Sequence, residues 1–331
     1  MTAPAALWLP ARAKLNLVLR VIGRRPDGYH LLETLFHELA LHDDLVVRRG
    51  PPGASVAVTA EREGLEVAGG EDNLVVRALR AVQRAAGAPA ERAPGLHATL
   101  HKRIPHGGGL GGGSSDAAAA LRLGNALLGA PLADEALARI AAPLGADVSF
   151  FLKGGSQWGR GVGEELTTAA VEPRHFVLLV PPFGCETAAV FKIHAARLEG
   201  GPRPGNLGAV TVCDNRDDLM SSGYCNHLEP AAEQLQPELG RLRRHVAATG
   251  FGNVRMSGSG STLFVAVDDA ASAEQCRSRL KESLAAAGFA GVTLLVTQTG
   301  PDRGVDAPRA WPPGAGDCGG AGSSPRSEGV G

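Results

Sequence analysis

The chain has 331 residues, of which 44% are hydrophobic and 4% aromatic, and its formal net charge at pH 7 is -1. This length predicts about two domains with enough apolar residues for a substantial core. A nearly neutral chain with few aromatic residues lacks the basic surface and the stacking platforms of nucleic-acid-binding proteins, so we expect no nucleic-acid partner.

Cysteine spacing and hydropathy indicate the compartment. No two of the five cysteines have the C-x-x-C spacing of a zinc or redox motif, so we expect free thiols in a reducing environment. No apolar run approaches the roughly 18 residues that a membrane-spanning helix needs. The N-terminus also lacks the basic and apolar regions of a signal peptide. The sequence therefore predicts a cytoplasmic protein without a membrane partner.

The first predicted element is a strand over residues 7–22. Apolar residues alternate along it with polar ones, among them Lys14 and Asn16, which is the period of a half-buried strand. Lys14 and Asn16 therefore share one face. Spacing alone favours a solvent-exposed face for this pair over a binding site.

A Pro-Asp-Gly turn follows at residues 26–28 and places Tyr29 and His30 directly after it. Residues 31–49 have the pattern of two further strands, and the acidic pair at 43–44 suggests the turn between them. A short alternating strand is predicted next, over residues 56–59.

The next predicted helix covers residues 73–86. Asp72 can cap it, and its apolar stripe runs from Leu74 to Val82. A strand over residues 97–102 follows and leads into the most informative stretch of the chain.

That stretch is residues 105–116, Pro-His-Gly-Gly-Gly-Leu-Gly-Gly-Gly-Ser-Ser-Asp. Glycine allows positive φ and a close approach of the backbone to a ligand. An alanine-rich helix over 117–128 comes next, with Ser114 or Ser115 as its expected cap. A glycine loop that enters a helix N-terminus points free N–H groups and the positive end of the helix dipole at one place. This arrangement predicts an anion site, and phosphate is its usual occupant.

Other interpretations of the glycine loop stay open at this point. It is not a Walker A motif, because no Gly-Lys-Ser/Thr follows. Gly107, Gly109 and Gly112 match G-x-G-x-x-G, and an oxidoreductase that binds a dinucleotide would need an acid such as Asp134 or Glu135 about 20 residues on. A helix surface explains that acidic pair more simply. A flexible linker, or a binding module without catalysis, is a further alternative.

Mixed elements follow the glycine loop and its helix. Asp147 lies between a predicted helix over 133–142 and an apolar stretch, ending at residue 152, that has the composition of a strand. Spacing alone also allows Asp147 to be a helix cap. A second glycine-rich turn follows over 154–163. Later strands are predicted over 175–180, 253–256, 262–267 and 292–297, and helices over 187–198, 229–248 and 271–287.

Strands and helices do not alternate regularly along the chain, which predicts an α+β fold in two halves. Residues 200–225 have the composition of a loop. Residues 301–331 are rich in glycine and proline and have almost no large apolar side chains, so we expect a disordered tail.

Three segments, in this order, resemble the GHMP kinase superfamily. They are Ala-Lys-Leu-Asn-Leu at 13–17, the glycine loop at 105–115, and Met-Ser-Gly-Ser-Gly-Ser-Thr at 256–262. Three others are most similar to the 4-diphosphocytidyl-2-C-methyl-D-erythritol kinase family: Arg-Pro-Asp-Gly-Tyr-His at 25–30, Gly-Ala-Asp-Val at 145–148 and Asn-His-Leu-Glu-Pro at 226–230. The resemblance covers about residues 8–298. His227 departs from the family, which commonly has an acid there.

The resemblance implies a two-domain GHMP kinase-like fold. An N-terminal ATP-binding domain, similar to ribosomal protein S5 domain 2, would span 1–165, and a ferredoxin-like C-terminal domain would span 166–300, followed by the tail over 301–331. The implied reaction is ATP-dependent phosphorylation of the 2-hydroxyl of a cytidine-diphosphate-linked methylerythritol, with Mg²⁺, in non-mevalonate isoprenoid synthesis. A monomer or a homodimer is expected. The alternative is another small-molecule kinase of the superfamily, such as a homoserine or mevalonate kinase, although neither is expected to carry Asp-Gly-Tyr-His.

The resemblance also implies roles for individual residues. Asp147 would take the proton from the attacking hydroxyl, and Lys14 would offset negative charge on the transferring group. The acceptor would be bound by Asn16, Tyr29, His30, Phe36, Thr187 and Phe191, with the aromatic rings stacked on cytosine and His30 bonded to its edge. The ATP phosphates would be bound by Pro105, His106, Gly107, Gly108, Gly109, Leu110, Gly111, Gly112, Gly113, Ser114 and Ser115. Residues that hold Mg²⁺ are not assigned.

Overall fold

The computed structural model describes residues 5–61, 65, 67–87, 94–200, 223–301 and 306–311. In chain order its elements are β1 (Ala6–Arg24), β2 (His30–Gly50), β3 (Ala54–Ala60), α1 (Leu74–Ala85), β4 (Gly95–Lys102), α2 (Gly112–Leu127), α3 (Asp134–Ala141), α4 (Ala146–Lys153), β5 (Ser156–Arg160), β6 (Glu165–Thr168), β7 (His175–Val180), α5 (Thr187–Gly200), β8 (Cys225–Asn226), α6 (Glu229–Leu235), α7 (Pro237–Ala247), β9 (Val254–Met256), β10 (Leu263–Val267), α8 (Ala270–Ala286), β11 (Thr293–Gln298) and β12 (Arg309–Ala310).

The described strands form two sheets. The first has eight strands, in the order β12-β1-β2-β4-β3, with the β5–β6 hairpin on β2 and the short β8 on β1. The second has four, in the order β11-β7-β10-β9. Helices α1 to α4 pack on the first sheet, and α5 to α8 pack on the second. A third apolar cluster joins β1 and β2 to β7 and β10, so the two sheets share a core.

The half-buried pattern predicted for β1 was wrong, because the middle of this strand is buried on both faces. Ala11 packs with the helices of the first sheet, whereas Ala13 and Leu15 pack against the second sheet. A register shift between Arg12 and Lys14 separates these residues, and such a bulge re-aims the side chains that follow it. Lys14 is consequently only 3% exposed, and it does not belong to a solvent-exposed face.

Residues 31–49 do not form two strands with a turn at the acidic pair. They belong to the single strand β2, and Asp43 is fully buried within it. Its carboxylate accepts hydrogen bonds from the Lys102 ammonium and from the backbone N–H groups of Arg103 and Ile104. These donors lie about 60 residues away in sequence, so they were invisible to a local turn pattern.

Three helix starts also differ from the predictions. Asn73, not Asp72, caps α1, since its Oδ1 accepts from the Val75 N–H. Helix α2 begins at Gly112, inside the glycine loop, and neither serine caps it. Asp147 lies in the first turn of a helix, α4, because residues 146–153 are helical and do not form a strand.

The β5–β6 hairpin and the C-terminal strand were not predicted. β5 and β6 occupy much of the expected glycine-rich turn. β12 pairs with Leu7 and Trp8 of β1, so the prediction of disorder was wrong for residues 309–310. Residues 302–305 and 312–331, and most of the loop predicted over 200–225, lie outside the described residues.

Cys185, Cys225 and Cys276 are free thiols, as expected, whereas Cys213 and Cys318 lie outside the described part of the chain. Among the residues that the structure describes, no helix combines the length and apolar character needed to cross a membrane.

Candidate active site

The glycine loop delivers the chain into the N-terminus of α2. Gly107, Gly109 and Gly111 have φ angles of 70°, 79° and 72°, a region in which an L side chain is strained. Gly111 is the N-cap of α2, and no side chain caps this 16-residue helix. Its first N–H groups therefore stay free for a ligand, and the positive end of the helix dipole adds to their attraction for an anion.

A second glycine loop, residues 257–260, packs directly on the first. The Ser257 hydroxyl donates to the Gly109 carbonyl at 2.9 Å, and the Thr262 N–H donates to the Gly108 carbonyl at 3.1 Å. A Cβ atom on Gly109 would lie 2.2 Å from the Ser257 carbonyl oxygen. The absence of a side chain at Gly109 is thus what allows the two loops to touch.

The conformation of the second loop is held by Asn226, a residue that the sequence pattern did not single out individually. Its Nδ2 donates to the Met256 and Gly258 carbonyls at 2.8 and 2.7 Å, and its Oδ1 accepts from the Leu228 N–H. Asn226 belongs to the Asn-His-Leu-Glu-Pro segment, so the family resemblance contained the signal. The neighbouring His227 accepts a hydrogen bond from the Val21 N–H through Nδ1.

Lys14 and Asp147 meet beside the glycine loop. Lys14 Nζ lies 3.6 Å from Asp147 Oδ2 and 2.5 Å from Asn16 Oδ1. The Lys14 N–H also donates to the Leu110 carbonyl at 3.0 Å, which ties β1 to the loop. The lysine side chain is 4% exposed and that of the aspartate 31%. The carboxylate is therefore open to a ligand, whereas the cation beneath it is fixed.

Asn16 and Phe36 form the floor of this region. Asn16 Nδ2 donates to the Thr34 hydroxyl at 2.8 Å, so its orientation is set by β2. The Phe36 ring stacks on Phe150 with 4.9 Å between the centroids, and Lys14 Nζ lies 5.8 Å from the Phe36 centroid. Both residues are 3% exposed and leave a rigid, largely apolar base below the charged pair.

A cleft with a cavity volume of about 320 Å³ joins these groups. From the predicted set it is lined by Lys14, Asn16, Phe36, Gly107, Gly109, Gly111, Asp147, Thr187 and Phe191, and the second loop adds Gly258, Ser259 and Gly260. The Thr187 hydroxyl is 2.8 Å from that of Ser259, which connects the start of α5 to the second loop. The structure thus places the predicted catalytic pair, part of the phosphate loop and part of the acceptor set around one cavity.

His30 lies beside this cleft and stacks on Phe191, with 5.0 Å between the ring centroids and an interplanar angle of 30°. Its Nε2 is buried and has no hydrogen-bond partner among the described residues. Burial, followed by the charge of Arg24, lowers the pKa of His30. The neutral form of the ring is therefore favoured near pH 7.

Several predicted residues do not line the cleft. Tyr29 lies at the β1–β2 connection with 65% of its surface exposed. His106 and Gly113 are exposed, and Ser114 is half-buried. The remaining loop residues that do not line the cleft are buried, namely Pro105, Gly108, Leu110, Gly112 and Ser115. Leu110 anchors the loop in the core between the sheets.

Comparison with known proteins gives the family. Residues 73–155 match the model of the GHMP kinases N terminal domain, and residues 214–286 match that of the GHMP kinases C terminal domain. The 4-diphosphocytidyl-2-C-methyl-D-erythritol kinase of Bordetella parapertussis is 43% identical over 77% of this chain and 80% of its own length. That of Moorella thermoacetica is 39% identical over 84% of this chain and 95% of its own length.

Solved structures agree with this assignment. A crystal structure of 4-(cytidine 5'-diphospho)-2C-methyl-D-erythritol kinase matches 89% of this chain and 100% of its own, with 35% identity and a TM-score of 0.68. Homoserine kinase from Cytophaga hutchinsonii has the same TM-score at 18% identity, over 93% of this chain and 98% of its own, and it shares the fold alone. These matches confirm the predicted α+β GHMP kinase fold in two domains. The chain belongs to the 4-diphosphocytidyl-2-C-methyl-D-erythritol kinase family of the GHMP kinases.

Proposed function

We propose that this protein transfers the γ-phosphoryl group of ATP to the 2-hydroxyl of 4-diphosphocytidyl-2-C-methyl-D-erythritol, a step of non-mevalonate isoprenoid precursor synthesis. The observation that carries the proposal is the 3.6 Å ion pair of Lys14 and Asp147 on a cleft that is also lined by the glycine loop. Phosphoryl transfer needs positioning and charge stabilisation more than covalent help from the protein, and this cleft offers both.

The glycine loop would hold the ATP phosphates. Its residues from Pro105 to Ser115 place the free N–H groups at the start of α2 beside the cleft. Because those groups belong to the backbone, their direction is set by the fold and costs little reorganisation when charge develops. The second glycine loop supports this cradle through Ser257.

Asp147 would accept the proton of the attacking hydroxyl. A base of this kind must come within about 2.6–3.2 Å of the proton donor, and the partly exposed carboxylate leaves room for such an approach. Lys14, fixed by Asn16 and by the Leu110 carbonyl, would hold the carboxylate in place and offset negative charge on the transferring phosphoryl group.

The acceptor would be recognised on the α5 side of the cleft. The His30–Phe191 stack offers an aromatic surface of the size of a pyrimidine. Asn16, Phe36 and Thr187 border the same space. Tyr29, whose ring is exposed at the β1–β2 connection, would cover the base from the opposite side.

Mg²⁺ fits this site as a companion of the nucleotide. The described residues contain no group of three or more His, Cys, Asp or Glu side chains that could hold a metal ion, and Mg²⁺ in kinases is usually bound by one or two carboxylates together with substrate phosphates. Among the described residues that line the cleft, Asp147 is the one with a carboxylate. Bound Mg²⁺ would neutralise charge on the phosphates.

We propose that residues 1–165 form the ATP-binding domain and residues 166–300 the C-terminal domain. The sheets support a boundary close to residue 165, because β6, over Glu165–Thr168, still pairs with β5 of the first sheet, whereas β7, over His175–Val180, belongs to the second.

The test is acceptor-dependent release of ADP. We expect ADP to form from ATP-Mg²⁺ in the presence of 4-diphosphocytidyl-2-C-methyl-D-erythritol, and not with homoserine or mevalonate. The product should carry its new phosphate at the 2-position, as read by phosphorus NMR. ADP release of equal rate with homoserine or mevalonate would assign the protein to another kinase of the superfamily.

A further inference from the structure

Three buried charged residues lie directly behind the N-terminus of α2. They are Asp43 from β2, Lys102 at the end of β4, and Asp116 in α2, and each is at most 3% exposed. Lys102 Nζ is 2.8 Å from Asp116 Oδ2 and also bonds the Asp43 carboxylate. A Cβ atom on Gly112 would lie 3.3 Å from Lys102 Nζ. The cluster therefore touches the first residue of the helix that enters from the phosphate loop.

The two carboxyl groups of this cluster have different partners. Asp43 accepts from Lys102 and from two backbone N–H groups, those of Arg103 and Ile104. Asp116 accepts from Lys102 alone, and its Oδ1 is buried with no donor among the described residues. Hydrogen bonds from donors favour the ionised form of a carboxyl group, so Asp43 is the better-stabilised anion.

Asp116 and Asp43 both bond the same Lys102 Nζ, so the two carboxyl groups lie close together. Two ionised carboxylates this close repel each other, which favours a proton on one of them, and the poorer set of donors places that proton on Asp116. Burial raises the pKa of Asp116 to about 8 even though Lys102 opposes the shift, and the Asp43 charge raises it further. Burial would lower the pKa of Lys102, but the charges of Asp116 and Asp43 raise it overall.

Other charged groups near the cluster are already paired or point away. On the chain segments next to Asp43 and Lys102, the Asp44 and Arg103 side chains pair with each other at 2.6 Å. On the β1 and α4 side, Lys14 pairs with Asp147. The charged side chains of α1 lie around an outer groove against α3, namely Arg77, Arg80 and Arg84. Lys102 and Asp43 are thus the charges that face Asp116.

We propose that Asp116 is a positioning residue for ATP binding: it is held as a neutral carboxylic acid that donates its proton to Asp43, so that the cluster under the phosphate loop has no net charge. Loss of this proton places an uncompensated anion behind the N–H groups of α2. That anion opposes the phosphates and pulls Lys102 away from the arrangement that supports the loop. The proposal rests on the proposed function only in taking ATP as the ligand of the loop.

The test compares ATP-Mg²⁺ binding by the full-length wild type and the Asp116→Asn variant over about two pH units centred on about 8. Asparagine keeps the size of the side chain and a donor toward Asp43 but cannot ionise. For the wild type we expect the Kd for ATP to rise with pH, by at most about tenfold per pH unit above the pKa of one linked proton. For Asp116→Asn the Kd should be flat over the same range.

Asp44→Asn is the matched control. Hydrogen bonds and charges from His42 and Arg103 outweigh burial and lower the pKa of Asp44 to about 2, so this acid does not change charge in the range tested. The control should keep the pH dependence of the wild type. ATP binding is measured without the acceptor. Its pH dependence can therefore be interpreted even if the acceptor-dependent assay of the proposed function is negative.

A second measurement detects the proton itself and does not depend on ATP binding. Infrared difference spectra of wild type against Asp116→Asn should show a protonated carboxyl band near neutral pH that disappears above about pH 8. A pH-independent Kd in the wild type, a pH-dependent Kd in Asp116→Asn that parallels it, or the absence of that band would each overturn the proposal.

Discussion

A methyl group at Gly109 probes the contact between the two glycine loops. In Gly109→Ala the new Cβ would lie 2.2 Å from the Ser257 carbonyl oxygen and 3.0 Å from its carbon. Both are backbone atoms, so no rotamer change can remove the clash. Overpacking of this kind typically costs about 1–3 kcal/mol, and an alanine in the left-handed region costs about 1–2 kcal/mol more. The sum predicts a loss of about 2–5 kcal/mol in the free energy of unfolding.

Gly107→Ala separates the two contributions. Gly107 has a φ of 70°, against 79° for Gly109, but a Cβ there would meet nothing within 4 Å. Its expected cost is therefore the backbone term alone, about 1–2 kcal/mol. Gly87→Ala measures the same backbone cost outside the site, because Gly87 has a φ of 71° and a Cβ there would also meet nothing within 4 Å.

Urea unfolding of the three variants measures these costs, and KM for ATP reports the effect on the cradle. Gly109→Ala should be the least stable and should raise KM for ATP most, because the loop must move away from Ser257. Equal destabilisation by Gly109→Ala and Gly107→Ala would refute the idea that close backbone contact between the loops shapes the phosphate site.

Two further predictions concern acceptor binding and acid stability. Tyr29→Ala should raise KM for the cytidylyl acceptor severalfold and leave KM for ATP and the stability unchanged, because the ring is 65% exposed; equal rises in both KM values would point to a folding defect. Burial lowers the pKa of His37 from 6.5 to about 4, so the unfolded state takes up a proton more readily than the folded state. The free energy of unfolding therefore falls by up to about 3 kcal/mol as the pH falls through this range. His37→Gln should flatten this fall in urea unfolding at a series of pH values, and parallel curves for variant and wild type would contradict the assignment.

The parts of the site that the sequence predicted lie in local sequence motifs. The glycine loop, Lys14 and Asp147 stand in segments that resemble the family, and the structure brings them together. The start of α2 was placed five residues too late because glycine is a poor helix former, and here tertiary packing overrides that propensity. The apolar run after Asp147 has no clear period, and a short apolar run does not distinguish a buried helix from a strand.

Other features depend on contacts that are distant in sequence. The bulge that turns Lys14 toward the cleft is a matter of register between β1 and β2, which alternation alone does not reveal. Asp43 resembled a turn residue because its partner Lys102 is 59 residues away. Such pairings become visible only when the sheet is assembled.

The central claim is that Asp147 acts on the acceptor hydroxyl while the glycine loop holds ATP independently of it. Single-turnover transfer of a labelled γ-phosphoryl group, measured in Asp147→Asn at saturating ATP-Mg²⁺ and acceptor, tests this most directly. We predict that transfer slows by about 10² to 10⁴-fold while the Kd for ATP stays within a fewfold of the wild-type value. Transfer at the wild-type rate in this variant would contradict the account.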